Sequence, residues 1–184
     1  AAGLIAIPIL PISEYPEELL AFLDRVLGVS SSLTGFAMDN MTRDDGWRFL
    51  IIGRRLERLS FLAMSVAHFL RMPSTRGPGS LEWLLELSDS IITYRSRYSR
   101  QPELLPVIDL LVFDDSNPHG VVFQVSVLGR YLERMVRELG ADFEGDLDGA
   151  LERLRSFDLA RLENIQFDSA RDYAPCEDLA DLLQ

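Results

Sequence analysis

An all-α fold is what this sequence predicts, and three observations carry the prediction. Apolar residues recur at three- and four-residue spacing through most of the chain, the period of a helix with one face against a core. The punctuation is helical: proline stands at candidate first turns (Pro16, Pro118) and glycine at candidate ends (Gly28, Gly140). No pair of alternating apolar runs flanks a hairpin turn signal.

Taken in order, residues 1–15 read as a linker or extended arm, because Pro8 and Pro11 break an otherwise apolar segment. Pro16 opens a short amphipathic helix (Leu19, Leu20, Phe22, Leu23, Val26, Leu27) that Gly28 should stop. A second short apolar piece, Leu33 to Met38, follows the serines at 30–32. Thr42, three residues before Asp45, resembles a capping box. The proline-free run from there to Arg71 predicts a helix about 40 Å long at ~1.5 Å per residue. Met72 to Gly79 holds two prolines and two glycines and reads as a loop. Ser80 then suits the N-cap of a helix from Leu81 to about Arg100. Pro102 and Pro106 bracket a further helix through Leu111. Asn117 and Pro118 cap one from His119 to Leu139, with a strand over Val121 to Val127 as its local competitor. A shorter helix spans about Leu147 to Ile165, and the tail adds another turn or two. Residues 16–184 thus form one all-helical domain.

Composition narrows the chemistry. The chain has 184 residues, 47% of them hydrophobic, enough for one domain with a substantial core. All 18 cations are arginine, since lysine is absent, which removes Schiff-base and Walker-lysine chemistry. Two histidines (His68, His119) and one cysteine (Cys176) exclude a Cys/His zinc site or a disulfide framework within the chain. A net charge of −11 disfavours nucleic acid and anionic membrane surfaces as partners. No apolar run approaches the ~20 residues of a membrane span, and the lone cysteine fits a cytoplasmic, reducing setting. No cofactor is signalled.

One internal repeat stands out. Gly53-Arg54-Arg55-Leu56-Glu57-Arg58 matches Gly129-Arg130-Tyr131-Leu132-Glu133-Arg134 at five of six positions, and the flanking apolar positions agree as well. This predicts a helical bundle built around two long equivalent helices. The first carries apolar residues on three stripes, one of them Leu50, Gly53, Glu57, Phe61, Met64 and His68, so it is expected at the centre, with His68 a core histidine. Buried charges need partners. The expectation is a clasp of Glu57 with Arg134 and Arg58 with Glu133, the backbones brought close at Gly53 and Gly129. The cluster Arg54, Glu57, Arg58, Arg130, Glu133 and Arg134 is either such a clasp or a site for an anionic ligand.

The stretches Met41 to Leu59 (MTRDDGWRFLIIGRRLERL), Leu87 to Tyr98 (LSDSIITYRSRY) and Pro106 to Gln124 (PVIDLLVFDDSNPHGVVFQ) resemble the alpha-E family, helical proteins of unknown activity named for a recurrent Glu-Arg motif. The resemblance covers about residues 36–138 and departs at His119, where the family pattern tends to have Arg. It implies that the chain is the C-terminal portion of a longer protein with a further Glu-Arg helix. Such proteins commonly accompany ATP-grasp-like ligases and transglutaminase-like peptidases, so the resemblance implies a role in forming or processing peptide-like amide bonds. The partner expected is one of these proteins, with a homo-oligomer also open.

Remaining clusters are less specific. Tyr94, Arg95, Arg97 and Tyr98 offer an anion grip or simply a solvated helix C-terminus. Asp109, Asp114 and Asp115 have the ligand chemistry for Mg²⁺, although capping and loop solubility explain the last two. No catalytic triad and no metal motif is legible. The expectation is a non-catalytic scaffold or regulatory domain beside an amide ligase; the alternative is an enzyme or ligand-binding unit that uses the Glu-Arg helices.

Overall fold

The computed structural model describes residues 16–72, 79–98, 101–140, 145–163 and 174–184. The expected arm at 1–15, most of the loop at 72–79 and the end of the helix expected to reach Ile165 lie outside them. The described residues are helical without a strand, so the all-α prediction holds. The chain divides into two compact units, Ala1–Trp47 and Arg48–Gln184.

The first unit holds α1 (Pro16–Asn40), a single 25-residue helix where two short ones were expected. Gly28 does not stop it. Glycine in a helix interior costs only about 1 kcal/mol. The hydroxyls of the polar stretch find acceptors in the helix itself (Ser32 Oγ to Gly28 O, Thr34 Oγ1 to Ser30 O, both 2.8 Å), so they do not require the chain to leave it. Joined in this way, residues 17–40 are long and apolar enough to cross a membrane by length and composition alone. The expectation that no run approaches the length of a membrane span is corrected to that extent. Beyond α1, Asp44 Oδ1 accepts from the Trp47 amide at 3.1 Å, so the cap of the next helix is Asp44 rather than Thr42.

That helix, α2 (Asp45–Arg71), runs on through the second unit. Its buried positions are Ile51 and then Leu62, Ala63, Val66, Ala67, Phe69 and Leu70. The core therefore gathers around its C-terminal half. Against it pack α3 (Ser80–Leu87), α4 (Ile91–Arg97), α5 (Leu104–Ile108), a π-helical turn (Asp109–Phe113) and α6 (Val121–Leu139). Completing the set are α7 (Leu147–Arg155), a 3-10 turn (Leu159–Leu162) and α8 (Ala174–Leu182).

Four boundaries differ from expectation, each for a local reason. The helix expected from Leu81 to Arg100 breaks into α3 and α4. Asp89 takes a left-handed φ of 52°. The Ser90 amide reaches Leu85 O at 2.8 Å and the Asp89 amide reaches Glu86 O at 3.0 Å. This is a Schellman closure with aspartate where glycine is usual. The helix bracketed by prolines passes into the π turn, closed by Asp114 N to Asp109 O at 2.9 Å. α6 begins at Val121 rather than His119, because Asn117 caps a turn: its Oδ1 accepts from the His119 amide at 3.1 Å. In that turn Gly120 has no room for a side chain, since a Cβ would meet the carbonyls of Asp114 and Asn117 at 3.1 and 3.2 Å. α7 ends at Arg155, with Ser156 Oγ on Arg153 O.

Asn117 ties these pieces together. It is 1% exposed, and its Nδ2 donates to Leu110 O at 3.0 Å and to Ser90 Oγ at 3.3 Å. One amide thus links the π turn, the α3–α4 break and the start of α6. Asn117→Ala leaves a buried carbonyl unsatisfied and is expected to destabilise by about 1–3 kcal/mol. Urea unfolding measures it, and an unchanged midpoint would remove Asn117 from this role.

Candidate functional site

The Glu-Arg helices carry the candidate residues, and the structure arranges them differently from the sequence expectation. Arg48 near the start of α2 pairs with Glu138 at the end of α6. Two turns on, Arg55 Nη1 donates to Gln124 Oε1 in the first turn of α6 at 3.1 Å. The two helices therefore run antiparallel. Glu57 lies opposite the start of α6, while Arg134 is ten residues beyond Gln124, roughly 15 Å along the axis. Among the described residues no ion pair joins Glu57 to Arg134 or Arg58 to Glu133, so the expected clasp does not form. Arg134 holds Glu138 instead, at 2.7 Å. Glu57, Arg58, Arg130, Glu133 and Arg134 are all exposed, and Arg54 is half-buried. Nor do the backbones meet at the glycines: a Cβ on Gly53 or Gly129 would touch nothing within 4 Å. Between the two motif copies the contact is instead Arg55 against the Tyr131 ring.

Exposure extends along the whole stripe once assigned to the core. Phe61 and Met64 are 49% and 58% exposed, Phe49 and Leu56 over half, and His68 is exposed too. Arg54, Glu57, Arg58, Ser60, Phe61 and Met64 line a shallow open cleft on this face. A second shallow depression, lined by Gly129, Leu132, Glu133 and Val136 with Gly145 to Asp148, lies at the other motif copy.

Arg55, which the sequence reading passed over, is the motif arginine turned inward. Its guanidinium lies 5.9 Å from the Phe123 ring and 6.0 Å from the Tyr131 ring. Its Nε is buried and makes no hydrogen bond. Burial lowers its pKa first, and the nearby Arg58, Arg130 and Arg54 lower it further. The signal was present in the sequence: Arg55 sits about 100° around the helix from Arg54, toward the buried side that includes Ile51 and Leu62. Gln124, its partner, is fully buried and also donates to the Pro118 carbonyl.

The second candidate cluster is occupied by its own neighbours. Tyr94 is completely buried, and its hydroxyl accepts from the Glu103 amide at 3.0 Å. Arg95 holds Glu82 at 2.7 Å, and Arg97 holds Asp114 and the Ser116 hydroxyl. Tyr98 donates to Asp109 at 3.2 Å; burial raises its pKa, and the Asp109 carboxylate raises it further. An anion grip is thus not what these residues form, because carboxylates of the chain already fill it. Asp109 and Asp114 serve as acceptors in this network. No group of three His, Cys, Asp or Glu side chains among the described residues is placed to hold a metal. His119 is half-buried with Nε2 3.7 Å from Asp89.

Two outcomes follow. Glu57→Leu, at an exposed position without an ion pair among the described residues, is expected to change stability by no more than about 0.5 kcal/mol and to be additive with Arg134→Met. A coupling above about 1 kcal/mol in that double-mutant cycle would restore the clasp. Asp114 behaves in the opposite way. Burial pushes its pKa up, but hydrogen bonds from Ser116 and Arg97 outweigh this and hold it below the ordinary 3.8. A depressed carboxyl stabilises the fold above its unfolded pKa and loses that contribution as pH falls through the folded value. Asp114→Asn should therefore be less stable than the parent at pH 7, by about 1–3 kcal/mol for a charge-assisted network. The gap should close below pH 3.8 in acid unfolding followed by circular dichroism; a gap independent of pH would refute it.

Comparison with known proteins agrees with this helical arrangement. An uncharacterized protein of Mycobacterium tuberculosis (strain H37Rv) and one of Mycobacterium bovis are each 29% identical to the chain over 180 residues, covering 91% of it. The chain spans about a fifth of the length of these relatives, 20% in each case. No solved structure matches it. The profile of the alpha-E family, described as a predicted alpha-helical domain with a conserved ER motif, matches residues 9–184. The match runs over essentially the whole chain rather than only its middle, and the protein belongs to the alpha-E family.

Proposed function

We propose that the chain is a non-catalytic helical scaffold or regulatory domain that docks an ATP-grasp-like amide ligase through the outer face of α2. The observation that carries this reading is the exposure of the Glu-Arg motif beside exposed Phe61 and Met64. Glu57 and Arg58, without an ion pair among the described residues and beside large exposed apolar side chains, have the composition of a protein interface. Phe, Met and Arg are enriched there and desolvate well against a partner. Family resemblance supplies the class of partner. A ligand-binding unit in amide-bond formation is the second reading, favoured by Arg54, Arg58 and Arg130, which hold no carboxylate among the described residues.

Co-purification of the full-length protein with a tagged ATP-grasp-like ligase from the same genome tests the proposal. Phe61→Asp with Met64→Asp should lower capture at least about tenfold, as loss of an interface anchor does. Both side chains are solvent-exposed, so the melting temperature should hold. Undiminished capture by the folded double variant would overturn the docking face.

A further inference from the structure

We propose that Arg54, Arg55 and Arg58 of α2 with Arg130 of α6 form a binding site for the carboxylates of an acidic peptide segment. The inference shares Arg54 and Arg58 with the proposed docking face, but it is tested with a peptide and without a ligase, so the two fail separately.

The first support is an imbalance of charge. The chain has 29 acidic residues for 18 cations, and several arginines away from this place hold a carboxylate: Arg71 with Asp181, Arg95 with Glu82, Arg97 with Asp114, Arg153 with Asp146 and Arg161 with Asp178. Arg54 and Arg58 flank Arg55 on α2, and the Tyr131 ring 6.0 Å from Arg55 brings the α6 turn that carries Arg130 beside it; among the described residues none of the four holds a carboxylate. Arg54 and Arg58 stand four residues apart on one helix, a like-charge spacing that costs stability unless an anion lies between. An acidic protein that concentrates four guanidiniums in one place is built to attract an anion there.

The second support is the state of Arg55. One face of its fork is fixed by Gln124 at 3.1 Å and two aromatic rings flank it, yet its buried Nε makes no hydrogen bond. A planar guanidinium held in place with a donor to spare is prepared for a carboxylate, whose two oxygens match the fork.

The position selects the ligand. All four arginines lie in the interior of long helices, so no helix N-terminus supplies the amide donors that usually complete a phosphate site. Recognition is by side-chain forks on successive turns, about 6 Å apart between residues 54 and 58. Exposed Leu56 and half-buried Leu132 lie beside them. Carboxylates spaced along a chain with some apolar content meet that arrangement better than a compact phosphate.

Calorimetric titration of the full-length protein with hexaglutamate at low ionic strength (about 0.01–0.1 M, where charges act over ~10–30 Å) tests the site. Binding is expected despite the protein's own negative charge, weakened at least about tenfold by Arg130→Met and by Arg55→Met, and unchanged by Arg137→Met on the same helix. Arg130 is exposed, so its variant should fold even if the Arg55 variant does not. Absence of hexaglutamate binding, equal loss in Arg137→Met, or tighter binding of inorganic tripolyphosphate than of hexaglutamate would each overturn the proposal.

Discussion

A buried asparagine sets the geometry of this fold. Asn117 has almost no access to water, so each of its polar atoms must be satisfied by protein. It meets that demand with groups from three segments distant in sequence: Leu110 in the π turn, Ser90 at the α3–α4 break, and the backbone of His119 ahead of α6. Each contact fixes a chain direction where no helix can. Gly120 completes the junction, since three carbonyls crowd the space a side chain would fill. From it α6 sets out with Gln124 already buried against the Pro118 carbonyl, and Gln124 in turn fixes Arg55 on α2. A chain of hydrogen bonds thus runs from a capping turn to the Glu-Arg motif.

The sequence conveyed helices well and their junctions poorly, for physical reasons. α2 and α6 announce themselves through periodic apolar residues, and Gly140 at a φ of 63° ends α6 as glycine signals. The break at Asp89 was not legible, because aspartate in a left-handed conformation leaves no proline or glycine to read. The continuity of α1 was missed for the converse reason: Gly28 and the serines after it look like a stop, yet glycine costs a helix little and the hydroxyls of Ser32 and Thr34 bond to carbonyls one turn back within it.

The candidate site shows what one-dimensional matching omits. Gly53 to Arg58 and Gly129 to Arg134 agree residue by residue, but contact depends on direction as well as identity. The pairs Arg48 with Glu138 and Arg55 with Gln124 make α2 and α6 antiparallel, and the motif side chains that meet are Arg55 and Tyr131 rather than Glu57 and Arg134. The likeness between the motif copies is shared by exposed Glu57 and Glu133 and exposed Arg58 and Arg134, while the contact between them runs through Arg55 and Tyr131. Arg55 differs from its counterpart Tyr131, and that one difference turns a cation inward where the other copy supplies an aromatic ring.

α2 is one helix with two regimes of local stability. Its C-terminal half is locked by Leu62, Val66, Ala67, Phe69 and Leu70, so amides there exchange with solvent only when the whole unit opens. Its N-terminal half buries Ile51 alone and is held mainly by its own hydrogen bonds, so it opens by small excursions at far lower cost. The boundary falls near the Glu-Arg motif. Any molecule that settles on that half adds the enclosure the fold leaves out. Its arrival would be written as slowed deuterium uptake in the first four turns of α2, with the last three already protected.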